Sequence, residues 1–156
     1  MTIAKSPSML TKSPPVLVPS LLSIAKSTRA FLTILLAEID LHPGQDQLLD
    51  RLEAENPVNV STLAELLAVR PSTVSKMLDR LIERGLVSRS ANARDARRTM
   101  VHLTPAGLEA QRQVREIWLK LEADLTTALT PDDIAKLDDS LYRAGDILTQ
   151  RLRRLR

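Results

Sequence analysis

The 156-residue sequence has no cysteine, so disulfides, thiolate metal ligands and thiol-based redox sensing are excluded. Aromatics are nearly as scarce: Phe31, Trp118 and Tyr142 are the full set, and only four glycines are present. The apolar content is Leu, Ala, Val and Ile, ample for a core. That mixture favours helices over a sandwich or barrel. His42 and His102 are the only histidines, and His102 falls in a predicted strand. With no cysteine beside them they form no ligand cluster, so no metal and no other cofactor is expected. No Gly-rich phosphate loop or Ser-His-Asp spacing stands out. Asp132/Asp133 and Asp138/Asp139 read as helix-start and solvated-face charges rather than acid/base pairs. The chain is therefore not expected to be an enzyme.

A long uninterrupted apolar run is missing too. "LLSIAKSTRAFLTILLAEI" is broken by Lys26, Arg29 and Glu38, short of the roughly 20 residues a membrane span needs. The basic, Ser-rich N-terminus is not followed by an apolar segment and cleavage pattern. The expectation is a soluble, cytoplasmic protein with no membrane partner.

Charge is present but unevenly placed. The net charge is +3. Residues 1–30 carry four cations and no acid, and residues 31–69 carry one cation against seven acids. Residues 70–103 hold eight cations and three acids, and 104–150 five against nine. The last six residues, "RLRRLR", add four cations. Basic charge confined to blocks bears on partners rather than on fold.

Residues 1–19, with Pro7, Pro14, Pro15 and Pro19, read as a flexible arm, and 20–156 as a single domain. A long helix is predicted over about 20–40, apolar on more than one face through Leu22, Ile24, Phe31, Ile34 and Leu35. One small domain cannot easily cover such a helix, which suggests a partner chain. A shorter helix over about 44–54 follows. "STLAELLA" predicts another, with Thr62 and Glu65 at capping-box spacing. "PSTVSKMLDRLIER" begins a fourth at Pro71, with Val74, Leu78, Leu81 and Ile82 at core spacing and Gly85 as its stop. "LVSRS" and "TMVHL" alternate as two strands around the loop "ANARDARR". "TPAG" starts a long helix with a stripe of Leu108, Val114, Ile117, Trp118, Leu121 and Leu125, in which Trp118 reads as core rather than as a ligand platform. Thr130, Pro131, Asp132 and Asp133 start the last helix, whose stripe runs Ile134, Leu137, Leu141, Ile147, Leu148, Leu152 and Leu155.

Two short helices joined by a tight turn, then a hairpin, make a winged helix-turn-helix in a mainly α fold. In that arrangement the second helix enters the DNA major groove. Ser72, Thr73, Ser75, Lys76, Asp79, Arg80 and Arg84 lie off its apolar face. The hydroxyls suit phosphates and base edges, and Lys76 has the chemistry for guanine O6 and N7. Arg94, Arg97 and Arg98 on the hairpin loop suit the minor groove and its phosphates. A basic helix alone is most often a solvated face. A basic hairpin following at once, between acidic neighbours, favours duplex DNA.

"VNVSTLAELLAVRPSTVSKMLDRLIERGLVSRSANARDARRTMVHLTPAG" resembles the core of MarR-type transcriptional regulators. The likeness is strongest over 57–107 and extends by helix order from about 20 to 150. "LAELL", "PSTVSKMLDRLIERGLV", the D-A-R of 95–97 and "LTPAG" carry it in combination, and "HPGQDQLL" fits the family's second helix. Where the family's turn often has Gly this chain has Ala68. Where an acidic or hydroxyl cap is common it has Arg70, which cannot cap but can reach a phosphate.

The resemblance implies a homodimer whose first and last helices (20–40 and 105–156) interleave, presenting two winged-helix lobes (44–104) to a pseudo-palindromic operator. It implies that Asp95 braces the wing and that Arg97 approaches DNA. It also implies a small aromatic or anionic effector bound between the dimer helices and the lobe, with Arg29 and His42 as candidates. The functional expectation is a sequence-specific regulator, a repressor released by such a ligand. The alternative is a winged-helix protein-interaction module without DNA binding, which would have shed the cations of the helix and wing.

Overall fold

The computed structural model describes residues 14–91, 94–95 and 99–155. Six helices and three strands follow in the order α1 (Leu17–Ala37), α2 (Gln45–Asp50), β1 (Val58–Asn59), α3 (Val60–Leu66), α4 (Pro71–Glu83), β2 (Val87–Ala91), β3 (Thr99–Leu103), α5 (Pro105–Thr126) and α6 (Pro131–Arg154). The three strands form one antiparallel sheet in the order β1-β3-β2. The fold is thus mainly helical with a small sheet, as the sequence predicts.

Differences from the sequence reading are local. α1 begins at Leu17, so Pro19 lies inside its first turn, where a missing N–H breaks no helical bond. α2 is shorter than predicted and ends at Asp50. α3 has no capping box at Thr62 and Glu65. Asn59 caps it instead, its Oδ1 accepting from the Thr62 N–H at 2.9 Å. The two-residue strand β1 was not legible; it pairs Val58 with Val101 and Asn59 with Met100.

One core joins all of these pieces except α6. Leu36 from α1, Leu48 and Leu49 from α2, Leu63 from α3, Val74, Leu78 and Leu81 from α4, Val101 from β3 and Val114 from α5 are fully buried. α4 thereby buries the face its i, i+4, i+7 spacing predicts. α5 departs from expectation. Ala110, Gln111, Val114 and Ile117 are buried, while Leu108 and Leu125 of the predicted stripe are exposed.

Polar groups fix α2 against α5 from both ends. The buried Asp46 carboxylate accepts from the Gly44 N–H at 2.7 Å and from Trp118 Nε1 at 3.2 Å. The buried Gln111 amide donates to the carbonyls of Leu49 (2.7 Å), in the last turn of α2, and Leu52 (2.8 Å), just beyond it. Trp118 is half-buried, packed against the core with its one polar atom satisfied, rather than a fully buried core residue.

The start of α5 is held as tightly. Thr104 accepts from the Gly107 N–H at 3.0 Å, and its own hydroxyl donates to the Gly85 carbonyl at 2.6 Å. Gly107 meets the preceding turn backbone to backbone: a Cβ built there would lie 1.8 Å from the Leu86 carbonyl oxygen. At the start of α6, Thr130 and Asp133 form a full capping box. The Thr130 hydroxyl and backbone N–H hold the Asp133 carboxyl below the usual carboxylate range.

α6 itself buries no residue. Leu137, Leu141, Ile147, Leu148, Leu152 and Leu155 stay exposed along it, as do Leu22, Ile24, Phe31 and Ile34 on α1. α1 is long and apolar enough to cross a membrane by length and composition alone, with a mean hydropathy of 1.3. Its last turns nevertheless belong to the core, through buried Leu36 with Leu32 and Leu35 packed beside it.

Candidate nucleic-acid interface

α3, the turn through Ala68 and α4 form a helix-turn-helix in which α3 packs on α4. Ala68 has φ +53°, a left-handed conformation that explains why glycine suits this place. Arg70 takes the N-cap position of α4 in extended conformation and makes no side-chain cap, as the sequence predicts. Its carbonyl accepts from the Thr73 N–H at 2.9 Å, and Pro71 supplies the first helical residue.

With Val74, Leu78 and Leu81 turned into the core, the outward face of α4 is set. Ser72, Thr73, Lys76 and Arg80 are exposed and Ser75 is half-buried. Lys76 and Arg80 lie one turn apart, and Thr73, Lys76 and Arg80 line one shallow cavity of about 190 Å³. The structure thus gathers the α4 candidates on one surface.

The wing candidates divide. Arg94 and Asp95 lie exposed at the described part of the hairpin loop. Arg97 and Arg98 lie outside the described residues. The ligand candidates also divide. His42 lines the cavity shared with Thr73, Lys76 and Arg80, while Arg29 is exposed on α1 and is not among that cavity's lining residues.

Two arginines off the predicted site organise it. Arg89 on β2 reaches back to α4, pairing with Asp79 at 3.0 Å and donating to the Ser75 carbonyl at 3.3 Å. This ties the wing to the middle of the helix and neutralises one of the two acids exposed on α4. Arg84, the C-cap residue of α4, donates to the carbonyls of Asp40 and Ile39 and pairs with the Asp40 carboxylate at 3.3 Å. It therefore closes the end of α1, where Asp40 turns the chain with φ +55°. Arg89 was missed because strand alternation says which side a residue takes, not what it meets. The one available signal was an acid, Asp79, left outward on a basic helix.

The element order, the buried face of α4 and the basic outward surface belong to a pattern found elsewhere. The MarR family model matches residues 41–99. The multiple antibiotic resistance protein MarR of Escherichia coli is 30% identical over 104 residues, 66% of this chain and 72% of that protein. This chain belongs to the MarR family. A second relative, the HTH-type transcriptional repressor MdtR of Bacillus subtilis, is 37% identical over 65 residues, 42% of each chain. The crystal structure of a mutant E. coli MarR complexed with operator DNA superposes with a TM-score of 0.74 at 26% identity, covering 82% of this chain and 92% of that one.

Proposed function

We propose that this MarR-family protein is a sequence-specific transcriptional regulator that binds duplex DNA as a homodimer. The surface of α4 carries this reading: one face is locked into the core, and the other offers Ser72, Thr73, Lys76 and Arg80 together. The residues that contact DNA are Arg70, Ser72, Thr73, Ser75, Lys76 and Arg80 from the helix-turn-helix. Arg94, Arg97 and Arg98 act from the wing, with Asp95 bracing it. A related MarR crystallised with operator DNA supports the assignment.

Residues 20–40 and 105–156 serve as dimerisation helices and 44–104 as the DNA-binding lobe. The unburied stripes of α1 and α6 support a twin chain as their cover, giving two recognition helices for a pseudo-palindromic site. The protein is a binding protein rather than an enzyme and acts in the cytoplasm. Occupancy of promoter DNA makes it a repressor, consistent with the repressor MdtR among its relatives. A small aromatic or anionic molecule releases it. The cavity under His42 supports that reading, because a ligand there competes directly with the work of Lys76 and Arg80.

Fluorescence anisotropy with genome-selected fragments across a salt series tests the regulator reading. Neutralising about 6–10 phosphates lowers affinity by about 10³–10⁵ between 50 and 200 mM salt. Lys76→Ala weakens the selected site by about 1–3 kcal/mol and random DNA far less. A flat salt response overturns DNA binding, and equal loss on both duplexes overturns base readout by Lys76.

A further inference from the structure

We propose that the arginine-rich end of α6 is a second DNA-contacting surface, holding phosphates beside the recognition helix without reading bases. This rests on the duplex-binding reading above.

The cations of α6 are of two kinds. Lys136 lies 2.5 Å from Asp132 and Arg143 lies 3.4 Å from Asp139, so each is neutralised within its own helix one turn away. Arg151, Arg153 and Arg154 crowd the last turn, exposed, and no carboxylate pairs with them among the described residues. A helix C-terminus carries only about half a negative charge, which one cation offsets. Arg151 and Arg154, three residues apart on one face, repel each other, and Arg153 adds a third cation beside them. Their position shows what relieves that repulsion.

Arg153, with Thr149 and Leu152, lines a groove of about 190 Å³ whose opposite wall includes Ser61, Glu65 and Pro71. Ser61 is in the first turn of α3, and Pro71 is the first residue of α4. The end of α6 therefore lies along α3 and the turn and beside the start of α4, where the duplex-binding reading puts phosphates. Glu65, the one acid lining the groove, makes no ion pair with Arg153 among the described residues. A polyanion passing the start of α4 meets Arg153 first and Arg151 and Arg154 at the flank. Bound there, it replaces mutual repulsion with attraction. The contact is to charge alone, so it raises affinity for every sequence.

The test is the slope of log affinity against log salt for the full-length protein, on selected and random duplex, with sedimentation run in parallel. Arg153→Gln lowers the slope by about two in a dimer, one phosphate per protomer at about 0.9 each. The ratio of specific to random affinity stays as in the wild type. Arg153→Lys keeps the wild-type slope. Arg143→Gln changes net charge equally but removes a cation already neutralised by Asp139, and leaves the slope unchanged. An unchanged slope in Arg153→Gln overturns the proposal, as does an equal fall in Arg143→Gln, which would report net charge alone. Loss of the dimer in Arg153→Gln also overturns it, assigning the arginine to the chain–chain contact. A wild-type protein that binds no duplex overturns this proposal and the regulator reading together.

Discussion

Ala68 sits with φ +53° in the turn between α3 and α4, a conformation that costs an L-residue about 1–2 kcal/mol. Ala68→Gly removes that strain and adds about 0.5–1 kcal/mol of unfolded-chain entropy, so the net stabilisation is about 0–1.5 kcal/mol. Urea denaturation measures it, and a loss of stability would mean the turn is not strained. The sequence marked this position only because alanine stands where the family favours glycine; the dihedral gives the reason. Arg89 teaches the opposite lesson, since nothing in its neighbourhood in the chain names Asp79 or Ser75 as its partners. Half-exposed ion pairs contribute little to stability, about 0–1 kcal/mol. Arg89→Ala is therefore expected to leave the urea midpoint nearly unchanged. It weakens DNA binding because Asp79 is left facing phosphate and the wing is untied from α4. Anisotropy at fixed salt checks this, and wild-type affinity would show the tie to be incidental.

At the scale of elements, periodicity and punctuation identified every helix among the described residues, because each has an apolar face, a proline start or a capping side chain. They missed β1, whose two residues are too short to show alternation and whose ladder depends on β3, about 40 residues away. The predicted stripe of α5 was wrong at Leu108 for a related reason. Helical spacing finds apolar faces, but α5 has two of them, and only packing decides which one the chain covers itself. "LTPAG" was legible as a motif without a cause. The cause is that Gly107 lies against the Leu86 carbonyl, so no side chain fits between α5 and the turn after α4. Gly107→Ala must push two backbones apart and is expected to cost more than 3 kcal/mol, at the severe end of single substitutions. A circular-dichroism melt decides it, with a near-native midpoint as the contrary result.

For the whole molecule, the distribution of burial is lopsided. The centre of the chain is dry and closed, and among the described residues no buried side-chain polar atom lacks a partner. α6, by contrast, buries nothing in the single chain. Exposed leucine on this scale marks an interface. Leu148→Glu places a carboxylate in the middle of that stripe, and sedimentation at micromolar concentration is expected to show monomer where the wild type shows dimer. A dimer of unchanged strength would move the interface elsewhere. Sequence composition already suggested a second chain, since helices apolar on several faces need more cover than one lobe provides. What it left open was which residues face the twin and which face the core.

Arg84 gives the molecule a mechanical property. The C-cap residue of α4 grips the carbonyls of Ile39 and Asp40 in the turn just after α1, and the adjacent Leu86 carbonyl abuts Gly107 at the start of α5. The recognition helix is thus clamped at its rear end to both long helices, with no slack loop between. Its 13 residues extend about 20 Å forward from that clamp. A tilt of about 10° at the clamp moves the tip by about 3.4 Å, one base-pair step. Because α4 is also packed into the core along its length, such a tilt would have to be carried by α1, α4 and α5 moving as one body. In a dimer, a change of that size in the angle between the two bodies would move each recognition tip by a full step along the DNA.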